Sequence, residues 1–410
     1  MTILLMLILF DLSHVQSQIH PVDTGSEGLA SPAKLKYNHF GEKEKFDEST
    51  GYEDVPNSSH IIPQSQLSKI KSQDGTKLCQ TFCSTNLVET EYCKQNEIVN
   101  CNTLPDEKRI SPVSMLTYRD NPGLEPIDSI SSMIESENKE IYTILDKISS
   151  TPGEPLFFSE SCIPFDQFVK RVYQSYKDKD PSITQYKALR QFFDVFEGTY
   201  AKAKSDPKST EATTVTKCED CSKLLELFKK NFDIKADIKN IHQALKTPNF
   251  KKFLFSMLFE ETVSNNPNCK EISLTKKISF EHYPRMDLSK DAKPTTMNEG
   301  IAVLKQKIAE GKPVSISGIC YAQDEISKRC STHCVVMTGT KKVKNKSTGE
   351  VVELVQVQNS WGKEWQDDTN GGWIKLEVLK GLIVTSDDRK IANSANERTQ
   401  LFANTFSWSK

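Results

Sequence analysis

Several things are scarce in this 410-residue chain, and each absence narrows what it can do. No apolar run is long enough to cross a bilayer. The N-terminal one, Ile3 to Phe10, has the length of a signal-peptide core instead. A basic excess is lacking too: 53 Lys and Arg stand against 55 Asp and Glu, a formal net charge of -2. That balance argues against a nucleic-acid or anionic-membrane partner. No internal repeat is visible. Histidine is sparse, seven in all, so chemistry that needs an imidazole has few candidates.

What is present is the composition of a soluble globular protein, 37% hydrophobic and 26% charged. The length exceeds one ordinary domain and suits either two domains or one catalytic unit with a large insertion. Residues 1–17 read as a signal peptide, with Val15 and Ser17 offering a cleavage site, although no Lys or Arg precedes the apolar run. Eleven cysteines agree with export and disulfides, so the expected location is secreted, with no membrane attachment after leader removal. An odd number also leaves one thiol over, either an inert buried cysteine or a nucleophile.

Residues 18–60 are polar and show no sustained period, as expected of a leader or linker. Apolar structure begins near Ile61, and KLCQTFCSTNLVETEYC reads as a buried helix starting at Cys79. Between 166 and 281 the pattern turns helical, with Tyr186, Leu189, Phe193, Phe196 and Tyr200 at spacings of three or four, around a Ser/Thr-rich loop at 205–216. A capping box from Thr296 to Glu299 opens a further helix that Gly311 and Pro313 stop. Strands follow from Val314, then over 333–339, 351–357 and 371–378, antiparallel in arrangement.

Among the cysteines, Cys93 with Cys101 and Cys320 with Cys330 are spaced for short bridges. Cys83 and Cys334 fall at inward-facing positions where thiols need no partner. The CEDC pair, Cys218 and Cys221, suits a disulfide better than half a zinc site, because no second CxxC accompanies it. No metal or cofactor is expected.

The strand VELVQV runs into Gln358, Asn359, Ser360, Trp361 and Gly362. An amide at a strand end beside an indole is suited to accept an imidazole N–H and keep that bond dry. His333, at the head of an apolar strand, is the matching histidine. A nucleophile completes such a set, and Cys79 at a helix start is favoured because the helix N-terminus and an imidazolium stabilise a thiolate. Gln73 lies six residues upstream on a Gly-containing loop, where its amide and the Cys79 N–H can converge on one oxyanion. Taken singly, a core histidine and a structural disulfide explain His333 and Cys79 as well; the ordered set is what points to chemistry.

These residues resemble the papain-like cysteine peptidases. Gln73, Cys79 and Phe82 match the family's Gln, nucleophile and helix aromatic, and Glu89 falls where the central helix carries a glutamate. RISPVSML (109–116), ESCIPF (160–165), STHCVVMTG and QNSWGKEWQ with GGWIKL match further family segments. The resemblance covers about 61–165 and 282–380, and departs at Lys77, Leu78 and Gln80, where the family has small residues and an indole.

The resemblance implies an α+β fold of two lobes. A helical half over 61–165 would carry Cys79, and an antiparallel β half over 282–380 would carry His333 and Asn359. A helical insertion at 166–281 and a tail at 381–410 would lie outside it. It implies hydrolysis of peptide bonds in a polypeptide substrate by Cys79, His333 and Asn359, with Gln73 at the oxyanion. A protein inhibitor or partner could occupy the cleft, and the insertion could cover it in place of a prosegment. An inactive binding protein that keeps the fold, or an acyl transferase using the same thioester, are the other expectations compatible with these residues.

Overall fold

The computed structural model describes residues 35–37, 45–116, 118, 141–150, 156–206, 218–232, 235–247, 250–259, 269–283, 297–324, 330–382 and 406–410. The expected signal peptide, the 207–216 part of the Ser/Thr loop, Thr296 and the side chains of Cys320 and Cys330 lie outside them. The architecture mixes helices with an antiparallel sheet, and no described helix is long and apolar enough to cross a membrane.

The sheet is organised around β8 (Cys330–Asn345), which pairs antiparallel with β7 (Val314–Asp324) and β9 (Val351–Gln358). Its strand order is β10-β9-β8-β7-β11-β6, with β10 at Trp373–Lys375, β11 at Phe406–Ser409 and β6 at Phe280–Tyr283. The apolar run of β8 needs both faces covered. Cys334 and Val336 pack with α1 (Cys79–Gln95), whereas Val335 and Met337 pack with Ile301, Leu304 and Ile308 of the helix at Met297–Ala309. Successive side chains point to opposite faces, so a strand sandwiched by helices reads as continuous rather than alternating hydrophobicity. The Met297–Ala309 helix ends as expected, at Gly311 with φ 74°.

Three features depart from the sequence reading. The segment 371–378 holds only a three-residue strand on β9 before turning helical at Leu376–Leu382, where Leu376, Glu377, Leu379 and Lys380 favour a helix once pairing ends. Within the polar leader, Tyr52–Asp54 and His60–Ile61 pair with β8; strands of two or three residues are too short to show a period. Residues 406–409, in the segment read as a tail, insert between β7 and β6 and bury Trp408.

The helical region comprises helices at Phe165–Lys177, Gln185–Ser205, Glu219–Asn231, Ile238–Leu245 and Phe250–Phe259. It leaves and returns at one place. Strand β4 (Leu156–Phe158) pairs antiparallel with β5 (Glu271–Ser273), and a Cys162–Cys269 disulfide, which sequence spacing did not suggest, closes the same neck. Its aromatic core is continuous with α1: Phe82 meets Phe165 edge to face, with ring centroids 4.8 Å apart, and Leu78 joins the same cluster. Burial of one such phenylalanine contributes roughly 1.5–3 kcal/mol, so the region is seated on α1 rather than loosely attached.

The expected Cys93–Cys101 bridge is present, and Cys218 and Cys221 bond to each other. Cys83 and Cys334 do face inward, but they are not thiols: they form a disulfide across 251 residues, with Cα atoms 6.3 Å apart. The interior side of α1 meets β8 there, and two inward cysteines at that separation are within bonding range. Replacing both by alanine is expected to lower unfolding free energy by about 3–5 kcal/mol in urea titrations, because a long loop regains its freedom in the unfolded chain. An unchanged midpoint would show that packing alone joins α1 to β8.

Candidate functional site

The site grows from three backbone segments. The first is the turn after β9, where Asn359 and Ser360 are buried and Gly362 adopts φ 88°. A side chain on Gly362 would be strained by that backbone angle and would meet Ser72, so the glycine of NSWG allows the chain to turn beside the 72–78 loop. The second segment is that loop. Ser72 forms an antiparallel bridge with Trp361, and Gln73 N–H donates to the Ser360 carbonyl at 2.7 Å. The third is the head of β8.

His333 Nε2 lies 2.7 Å from Asn359 Oδ1, and both side chains are buried. Because the amide oxygen can only accept, Nε2 carries a hydrogen, and Nδ1 is the nitrogen at which the ring gains or loses its second proton. The indole of Trp361 stacks on the imidazole, with ring centroids 4.8 Å apart and planes at 28°, and Trp365 meets Trp361 edge-on at 5.8 Å. Burial pushes the His333 pKa down to about 4, against a smaller upward pull from Asn359. A buried imidazolium is therefore stable only beside an anion.

Gln73 is placed by Ser360, whose hydroxyl donates to Gln73 Oε1 at 2.6 Å. That contact commits the amide oxygen and leaves the Nε2 hydrogens as donors. Gln366 fixes the backbone around Asn359: its Nε2 donates to the Val357 carbonyl at 2.7 Å, and its Oε1 accepts from Asn359 N–H at 3.4 Å. Sequence reasoning missed both supports. Ser360 and Gln366 are ordinary polar residues whose partners become adjacent only after folding.

Cys79 begins α1 and stands outside the four disulfides of the described residues, with its thiol buried. Leu78 provides no side-chain cap and the first turn carries no acidic residue, so the helix N-terminus is not neutralised locally. Cys79 shares a buried cluster with Cys83 and Cys334, one turn along the helix and one residue along β8 from His333 respectively. The Cys83–Cys334 bond thus ties the first turns of α1 to the head of β8.

The segment before Gln73 is anchored by charge. Lys71 Nζ lies 2.8 Å from Glu89 Oε1, with both side chains buried, while Glu89 also accepts from Ser68 Oγ at 2.7 Å and from Ile110 N–H at 2.7 Å. Neither a known protein family nor a curated protein matches the sequence, so these contacts carry the functional reading themselves.

Proposed function

We propose that the chain is an exported, papain-like cysteine peptidase that hydrolyses peptide bonds with Cys79, His333 and Asn359, and with Gln73 at the oxyanion. The observation that carries this is the His333–Asn359 hydrogen bond, buried beneath the Trp361 ring. It fixes the tautomer in which Nδ1 is available to a thiol, and a core histidine alone has no need of that arrangement.

In the proposed reaction the Cys79 proton moves to His333 Nδ1 and the thiolate attacks the scissile carbonyl carbon, whose oxygen becomes negative. Gln73 Nε2 and the Cys79 N–H donate to that oxygen. His333 then gives its proton to the departing amine as the C–N bond breaks, leaving a thioester. Water, deprotonated by His333, attacks the thioester and restores the thiol. The residues supporting this reading occupy 61–165 and 282–380, and the cysteine usage supports export.

A second reading, a binding protein that keeps the fold, draws on Lys77, whose ammonium lies 4.8 Å from the Tyr186 ring centroid beside the proposed cleft. One experiment separates the two: labelling of the mature protein by a peptidyl epoxide, alongside Cys79→Ala and His333→Ala. A peptidase gives label on Cys79 that is lost in the first variant and reduced at least tenfold, by the usual share of general-base assistance, in the second. Equal labelling with and without His333 rejects the hydrolytic reading.

A further inference from the structure

The helical region does more than pack behind α1. The first turn of its second helix, α5 in chain order (Gln185–Ser205), reaches the loop that precedes Cys79. Gln185 Oε1 accepts from Gly75 N–H at 2.8 Å, and the next residue, Tyr186, lies beneath the Lys77 ammonium. Tyr186 is buried in the same cluster as Leu78 and Phe82, so its ring cannot swing away without opening that core. Thr184 caps the turn by accepting from Lys187 N–H, which holds Gln185 and Tyr186 on a formed helix end.

The loop requires such support. Asp74 and Lys77 have left-handed φ values of 48° and 57°, a conformation that is unfavourable for a non-glycine residue and persists only when the surroundings impose it. The start of the loop is fixed by Ser72 on Trp361 and by Gln73 on Ser360. Its middle and end, Gly75 to Lys77, face α5. Asp166, in the first turn of the Phe165–Lys177 helix, is also close: its carboxyl is raised by burial and further by the Asp74 charge.

We infer that Gln185 and Tyr186 are positioning residues for the oxyanion site, holding Gly75 and Lys77 so that the Gln73 amide and the Cys79 N–H converge on one oxygen. The inference rests on the proposed Cys79 chemistry and adds a role for the helical region: a clamp on the loop between the two donors. It also accounts for Lys77 and Leu78, where small residues stand in the papain-like pattern. Lys77 meets Tyr186 and Leu78 enters the helical core, so the altered side chains are the contacts through which the clamp acts.

The test compares two reactions of Cys79 in the full chain. Acylation by a peptidyl p-nitrophenyl ester passes through a tetrahedral oxyanion, whereas alkylation by iodoacetamide displaces iodide with no oxyanion. Gln185→Ala and Tyr186→Leu are expected to slow acylation by about tenfold, part of the effect of losing an oxyanion donor outright, with alkylation unchanged within about twofold. Gln185→Glu, which keeps an acceptor for Gly75 N–H, and Tyr186→Phe, which keeps the ring face, are expected to restore most of the rate. Acylation at the wild-type rate in both disruptive variants overturns the inference, and so does an equal fall in both reactions, the mark of general structural damage. If the wild-type Cys79 is neither acylated nor alkylated faster than an ordinary thiol, it is the peptidase reading that fails.

Discussion

Alkylation of Cys79 by iodoacetamide at pH 6 is expected to be about a hundredfold slower in His333→Ala than in the wild type, since an ordinary thiol is well under 1% thiolate at that pH. The physical basis is the coupling of two buried groups. Burial, only partly offset by the Asn359 hydrogen bond, pushes the His333 pKa down to about 4, so any imidazolium near neutrality must be stabilised by a neighbouring anion, and the proposed anion is the Cys79 thiolate. The two ionise as a pair, with the proton passing from sulfur to Nδ1. The wild-type rate should then be nearly flat from about pH 5 to 8, while the variant should rise with unit slope toward the usual thiol pKa near 8.5. Blocking the thiol removes the anion, so the His333 ring, followed by NMR at pH 7, should change from imidazolium to neutral on carboxamidomethylation. A wild-type rate that climbs like that of a free thiol, or a ring already neutral before alkylation, would sink the ion pair.

The stretches legible in the sequence are those whose pattern has a local cause. The apolar run at 333–339 is a strand covered on both faces, and Asn359 with Trp361 predicts the imidazole partner found at His333. The helix stop at Gly311 follows from a short-range signal in the same way. What could not be read depends on pairings made only by folding. Nothing local distinguishes Cys83 and Cys334 from buried thiols, because their bond joins a helix to a strand 251 residues later. Gln185 looks like any first-turn polar residue until Gly75 is found against it. The periodicity of the helical region predicted its helices, but not that Leu78 and Phe82 would belong to its core. Hydrophobic period shows which face is buried; it does not identify the element that buries it.

Glu89→Ala is expected to cost roughly 3–5 kcal/mol of unfolding free energy, more than the loss of any surface ion pair, because it strands the buried Lys71 ammonium. Attraction across 2.8 Å is only part of the account. Both charges have left water, so the pair offsets its own desolvation and the penalty appears when one partner is removed alone. The double variant Lys71→Met, Glu89→Leu should therefore recover about half of the loss, with a residual cost of about 1–3 kcal/mol because Ile110 N–H loses its acceptor, while Ser68 Oγ keeps Asn86 Oδ1. Urea unfolding of the wild type, Lys71→Met, Glu89→Leu and the double variant gives the coupling directly. A Glu89→Ala cost below about 1 kcal/mol, typical of an exposed pair, would show that the site admits water. Lys71 stands two residues before Gln73, so the same disturbance should reach the proposed oxyanion site. Acylation of Cys79 should fall in Glu89→Ala and return in the double variant, in step with stability.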